Sequence, residues 1–463
     1  MSTLLIKNSH TLVTMDESLG EIRQGALFIR DHVIEQVGTT AELPHSADEI
    51  LDLQGRHLVL PGLINTHHHF YQTLTRAIPA AQDCDLFNWL QTLYPIWANL
   101  TAEGVYISAQ MAAAELLLSG CTTASDHLYL YPNDCSLDDE IRAIQKIGLR
   151  FHASRGGMSV GESLGGLPPD SLIEDEADIL KDSQRLIEQY HDPARHSMLR
   201  MTLAPCSPFS VSPDLMRESA ALARAYPGVR LHTHLAENPS DVAYSLETFG
   251  MVPGDYAESV GWLGEDVWHA HCVQLNDSSI RKFGKTGTGV THCPCSNMRL
   301  ASGIAPVRKL LDHNVPVGLG VDGSASNDAG NLMQEARTAF LLARVGSGKA
   351  AAMSARAALE LATVGGAKVL GRDDIGSLAP GMSADFIAVN LDRPQLAGAL
   401  HDPVAAMIFC QVNQVDYNFV NGRKIVDQGQ LTTVELKPLI ERTNQLSRML
   451  LETEVSTVKH PNV

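Results

Sequence analysis

The chain carries 19 histidines among 463 residues, and those placed for chemistry come in pairs. His67-His68-His69, His232-Thr-His234 and His269-Ala-His271 each close a short apolar run, and Asp322 closes another in GLGVDG. Side chains alternate across a strand, so His67 and His69 share a face and His68 points away. Two imidazoles at that spacing can bite one metal ion. A lone histidine at a strand end is more often a hydrogen-bonded structural residue. Pairs repeated on separate runs, with a carboxylate on another, point instead to metal binding. In the later pairs the second histidine lies nearer the strand's C-terminal end. That favours His234 and His271 over His232 and His269. His67, His69, His234 and Asp322 form the candidate ligand set. Three neutral imidazoles and one carboxylate suit one zinc, with iron second. Zinc lowers the pKa of coordinated water towards neutrality, so a proton carrier must stand close by. Glu237, three residues past His234 in HTHLAE, is the candidate carrier. His271 is expected beside the water or the reacting bond.

Elements must bring these runs together. From 61 to 375, apolar runs alternate with helix-length amphipathic stretches. The runs are LPGLINTHHH, CTTASDHLYL, LRFHASRGG, LRMTLAPCS, VRLHTHLAE, VWHAHCVQL, GTGVTHCPC and VPVGLGVDG. Strand-helix alternation predicts a parallel sheet, and eight strands over this length predict a (β/α)8 TIM barrel. The strand C-termini of such a barrel surround one pocket. Residues 1–60 and 376–432 read instead as short strands and turns, predicting one small β-sandwich domain built from both ends of the chain. Residues 350–371 are expected as helices under the barrel. The tail, 433–463, is expected as a helix whose last stretch, STVKHPNV, frays.

Composition narrows the partners. The net charge is −18, with no block of Lys and Arg. Nucleic-acid binding needs a basic footprint, so a small molecule is the better partner. No run reaches about 18 apolar residues, so no membrane partner is expected. The N-terminus lacks the marks of a secretion signal, and the eight scattered cysteines suit a reducing, cytoplasmic location.

Three motifs carry less weight. Gly318-Leu-Gly320-Val-Asp-Gly323 has the glycine spacing of a dinucleotide loop, but its aspartate would face a pyrophosphate. Gly161-Glu-Ser163-Leu-Gly165 has the nucleophile-elbow spacing, but Gly-Leu-Pro-Pro follows where a helix should start. Cys293-Pro-Cys295 has no second cysteine pair nearby and reads as a turn.

These residues together resemble the amidohydrolase superfamily, in particular its cytosine/guanine/triazine deaminase branch. PGLINTHHH looks like that branch's opening motif and implies His67 and His69 as ligands. HTHLAE implies His234 as ligand and Glu237 as proton shuttle, and HAHC implies His271 beside the water. GLGVDGSASND implies Asp322 as last ligand and second proton carrier. HCPCSNMRLASG and GSLAPGMSADFIAV are also typical. Two-metal relatives use a bridging lysine. Between 61 and 330 the lysines are 146, 181, 282, 285 and 309, all in helix-like or loop stretches, so one metal is expected. HHHFYQTLTRA, ELLLSGCTTASDHLYL and LAPCSPFSVSP are most similar to the bacterial 8-oxoguanine deaminases. The resemblance therefore implies hydrolysis of 8-oxoguanine to urate and ammonia. Gln72 matches the position that reads a purine edge. The Arg-Phe-Ser of ordinary guanine deaminases stands here as Pro208-Phe209-Ser210, which argues against plain guanine. Cys206 and Ser207 shape that wall instead, and Trp97 and Arg155 are further pocket candidates. Triazine (hydroxyatrazine-type) aminohydrolase, isoxanthopterin deaminase and guanine deaminase are alternatives. A non-catalytic scaffold is a distant one. The resemblance leaves room for a homo-oligomer.

Overall fold

A computed structural model describes residues 2–458. Eight parallel strands close a barrel. In chain order they are β1 (Leu63–Asn65), β2 (Cys121–Leu128), β3 (Arg150–Gly157), β4 (Leu199–Pro205), β5 (Arg230–Leu235), β6 (Val267–His271), β7 (Gly289–His292) and β8 (Val317–Leu319). Every expected run supplies one strand. The closing seam is the weakest pairing, with Leu319 opposite Asn65 as its one registered pair. Side-chain and main-chain bonds reinforce it. Thr66 donates its N–H to Leu319 O at 2.9 Å, Val321 donates to Asn65 Oδ1 at 2.9 Å, and Asp322 donates to His67 O at 3.1 Å. The residues after β1 and after β8 are thereby stitched side by side.

The helices have local reasons to start and stop. In α1 (Leu86–Trp97), Asp85 accepts from Asn88 N at the N-cap. In α2 (Ala102–Ser119), Thr101 accepts from Gly104 N, and Gly120 ends the helix at φ 110°, a conformation open to glycine at little cost. Below the barrel, Leu361–Gly365 forms a π-turn between two short helices.

The two ends of the chain build two outer sheets. The larger has seven strands, and its joint is the antiparallel pairing of Phe386–Asn390 with His57–Pro61. The smaller, four-stranded sheet is built from residues 3–52. Leu4, Ile6, Leu27, Ile29, Val59 and Phe386 are buried together across the sandwich. The C-terminal helix, Leu436–Val458, packs on α1 and α2. The part of STVKHPNV beyond 458 lies outside the described residues.

Candidate metal centre and substrate cavity

The chain turns sharply at the ends of two contributing strands. His271 and Asp322 both adopt left-handed backbone, at φ 68° and 62°. Non-glycine residues rarely sit there, and such strain gathers at functional sites. At His271 it has a visible effect. Strict alternation would give His271 the face of His269, whose ring packs outward on Phe283 and whose Nε2 bonds Trp262 O. The turn re-aims His271 inward, where it faces Glu237 and Asp322 at 3.5 and 3.8 Å.

Each inward imidazole is held through Nδ1. His69 Nδ1 donates to His127 O and His234 Nδ1 to Cys206 O, both at 2.7 Å. His67 Nδ1 meets His232 Nε2 at 2.8 Å, and His271 Nδ1 donates to Asn297 Oδ1 at 2.9 Å. A carbonyl can only accept, so the Nε2 atoms of neutral His69 and His234 are bare. Yet these two atoms face each other at 3.2 Å. Asp322 Oδ1 lies 3.3 Å from His67 Nε2 and 3.4 Å from His69 Nε2. Lone pairs converging in a buried site call for a cation. The spacing agrees: four ligands about 2.0–2.1 Å from zinc sit about 3.3 Å apart in a tetrahedron. The residues present therefore fit one divalent ion.

Electrostatics point the same way. Burial holds His67, His69 and His234 below the usual imidazole range, so they are neutral donors. Asp322, whose carboxyl lies well below the usual range although burial opposes its charge, is the anionic member of the set. Glu237 behaves oppositely. Burial, with Asp241 and Asp322 close by, pushes its carboxyl well above the usual range. Two carboxyl groups in one site are thus driven apart, as acid–base work requires.

A cavity opens above the donors. His69, His234, His271, Asp322 and Glu237 line its floor, while His67 lies beneath, fully buried. Gln72 and Cys206 line the walls. Gln72 Oε1 is buried without a hydrogen-bond partner. The Cys206 thiol is pushed up to about 12 by burial, so it is neutral. Beside it, Ser207 and Ser210 bond each other at 2.8 Å, and Phe209 reaches the cavity.

Two expected wall residues stand elsewhere. Trp97 lies one helical turn beyond the cavity, with its indole N–H on Thr75 Oγ1 at 3.1 Å. Leu86, Trp89, Leu90 and Tyr94 of the same stripe form the roof instead. Arg155 is absent from the lining. It pairs with Glu174 at 2.7 Å and Asp182 at 3.1 Å, and its guanidinium lies 4.1 Å over Tyr131. Sequence reasoning missed Trp89, Tyr94, Tyr129, Leu300 and Ser326. The i, i+3, i+4 spacing of Leu86, Trp89 and Leu90 was the one available signal. It also missed His127, whose ring stacks on His234 at 4.9 Å and whose side chain groups with the metal donors.

The weak motifs resolve as structure. Gly318 and the residues after it belong to β8 and its turn, Gly161 is buried at the start of a loop whose residues 162–165 are exposed and form a short 3-10 turn, and Pro294 opens a six-residue helix.

Comparison with known proteins agrees with this geometry. Residues 58–425 match the amidohydrolase family. The chain is 44% identical to an 8-oxoguanine deaminase of Pseudomonas aeruginosa, over 97% of this chain and 100% of that one. It is 34% identical to a hydroxydechloroatrazine ethylaminohydrolase of Pseudomonas sp. (strain ADP), covering 97% and 96%. A zinc-complexed atrazine chlorohydrolase from Arthrobacter aurescens TC1 superposes with a TM-score of 0.92 at 33% identity, covering 96% and 100%.

Proposed function

From the premise that this chain belongs to the amidohydrolase family and is a metal-dependent hydrolase of C–N bonds, we propose that it deaminates an oxidised aminopurine, converting 8-oxoguanine to urate and ammonia. The observation that carries this reading is the cavity lining. Among the described residues that line it there is no Arg or Lys; Trp89 and Tyr94 roof it, and Tyr129, Phe209 and the neutral Cys206 form its walls. Such a site suits a flat, uncharged ring. A phosphorylated nucleotide lacks a countercharge there. The full-length likeness to an 8-oxoguanine deaminase supports the same choice.

In this reading His67, His69, His234 and Asp322 hold one divalent ion, zinc before iron. Once bound, such an ion would lower the pKa of a water molecule towards neutrality. Glu237 takes a proton from that water and delivers it to the ring nitrogen beside the amine-bearing carbon. His271 Nε2, 3.5 Å from Glu237 Oε2, steadies the developing charge. Asp322 or Glu237 then takes the remaining proton from the new hydroxyl and passes it to the amine, which leaves as ammonia. Gln72 offers its unpartnered amide oxygen to a ring N–H, and α1 covers the ring from above.

The triazine-type reading rests on the superposition with a triazine enzyme. Metal-replete protein assayed on 8-oxoguanine, guanine, isoxanthopterin and hydroxyatrazine separates the readings by release of ammonia or alkylamine. Turnover of 8-oxoguanine at least tenfold above the others is expected, and a preference for any other ring refutes the assignment. A cytoplasmic location belongs to the same reading, supported by cysteines that stand as free thiols. Among the described residues no helix is long and apolar enough to cross a membrane.

A further inference from the structure

His67 differs from the other imidazoles of the donor cluster in what holds it. His69 and His234 donate to main-chain carbonyls, which no side-chain substitution removes. His67 Nδ1 instead meets a side chain, His232 Nε2, at 2.8 Å. One further bond sets the direction of this contact. His232 Nδ1 lies 3.1 Å from Trp268 O. A carbonyl only accepts, so His232 Nδ1 carries the proton. The His232 ring is fully buried against His67, His127 and Trp268, where a second proton would be a buried charge. Its Nε2 is therefore bare and accepts from His67 Nδ1–H. His67 Nε2 is bare in turn, has no hydrogen-bond partner, and faces Asp322 Oδ1 at 3.3 Å.

The His232 ring is itself clamped. It stacks on the Trp268 indole at 4.5 Å and 19°. The Trp268 indole N–H donates to Thr66 O at 3.2 Å, the residue before His67. Thr66, His67, His232 and Trp268 thus form a closed ring of contacts across β1, β5 and β6.

We propose that His232 is a positioning residue: a relay from the Trp268 carbonyl through His232 sets the tautomer of His67 so that its Nε2 lone pair faces the cation site. The inference rests on reading His67 as a metal ligand. Outer partners of this kind hold ligand rings in place, and their loss typically weakens metal binding by about 10–100-fold.

The test compares His232→Phe with His232→Gln. Phenylalanine keeps a ring against Trp268 and removes both nitrogens. Glutamine keeps an oxygen that can accept from His67 Nδ1–H. Zinc- and cobalt-loaded proteins are challenged with excess dipicolinate, metal release is timed, and the cobalt absorption spectrum is recorded. His232→Phe is expected to release metal about 10–100-fold faster with an altered cobalt spectrum, while His232→Gln stays within about threefold of the parent. Metal-holding parent protein with equal retention in His232→Phe overturns the relay alone. Equal loss in both variants assigns the effect to packing and overturns it too. Parent protein that holds no metal overturns the ligand reading, and this inference with it. Should the variants fail to fold, 15N-histidine NMR of the metal-free parent reads the tautomers directly. Nδ1-protonated His67 and His232 are expected, and an Nε2-protonated ring at either position refutes the relay.

Discussion

Glu237 and Asp322 share one cavity, yet their protons are held differently. Burial pushes the Glu237 carboxyl well above the usual range and so makes its carboxylate the stronger base, while Asp322 stays well below that range. Glu237 is also no part of the donor cluster. Glu237→Gln is therefore expected to retain the parent's metal content and lose about 10²–10⁴-fold in kcat, as removal of a general acid–base group does. Metal analysis beside an ammonia-release assay checks both halves, and parent-level turnover removes Glu237 from the mechanism. Gly323 offers a second test. A Cβ built there lies 1.8 Å from Gln72 Oε1, so an alanine must push that amide aside. Gly323→Ala is expected to raise KM for the purine more than it lowers kcat. Unchanged KM excludes Gln72 from ring recognition. The ligand candidates were legible in the sequence because H-x-H spacing and strand-end position are local features. Trp97 and Arg155 were misplaced because a helix stripe continues past the cavity it roofs, and because Arg155 has carboxylate partners distant in sequence.

At the scale of elements, the barrel's seam and its underside are coupled. The π-turn Leu361–Gly365 packs beneath β1 and β8. Gly365 sits so close that a Cβ would lie 2.4 Å from Val317 O in β8. Main chain cannot step aside as a flexible side chain can. Gly365→Ala is therefore expected to destabilise by about 1–3 kcal/mol, the usual scale of overpacking. A lowered midpoint in thermal melts, with faster metal release as β8 shifts, checks it. An unchanged midpoint shows that the seam is softer than it looks. All eight strands were legible because each is a compact apolar run bounded by turns. The exit turns were not, since left-handed backbone at His271 and Asp322 has no signal in residue type.

At the scale of the whole molecule, a buried ion pair ties the barrel to the sandwich. Arg150, on β3, grips Asp385 through two bonds of 2.9 and 3.1 Å, and its guanidinium also reaches His196 O and Asn421 Oδ1. Both side chains are buried, at 0% and 2% exposed. Breaking such a pair leaves an uncompensated charge and costs about 3–5 kcal/mol, whereas replacing both partners costs much less. Arg150→Leu is expected to lower the melting temperature sharply, and Arg150→Leu with Asp385→Leu to recover much of the loss. A double variant no better than the single one means that the carbonyl contacts, and not the charge pair, hold the joint.

The sequence alone determined the barrel, the sandwich built from both ends, and the runs that bear the candidate ligands. Each is written in short-range periodicity, the scale at which hydrophobic patterning acts. It could not determine which face each histidine takes after its strand ends, or which side chains close over the ring. Only the tertiary structure decided those. Bare imidazole nitrogens at 3.2 Å, a carboxyl made more basic by burial, and a relay linking His67 to Trp268 exist only when distant strands share one low-dielectric interior.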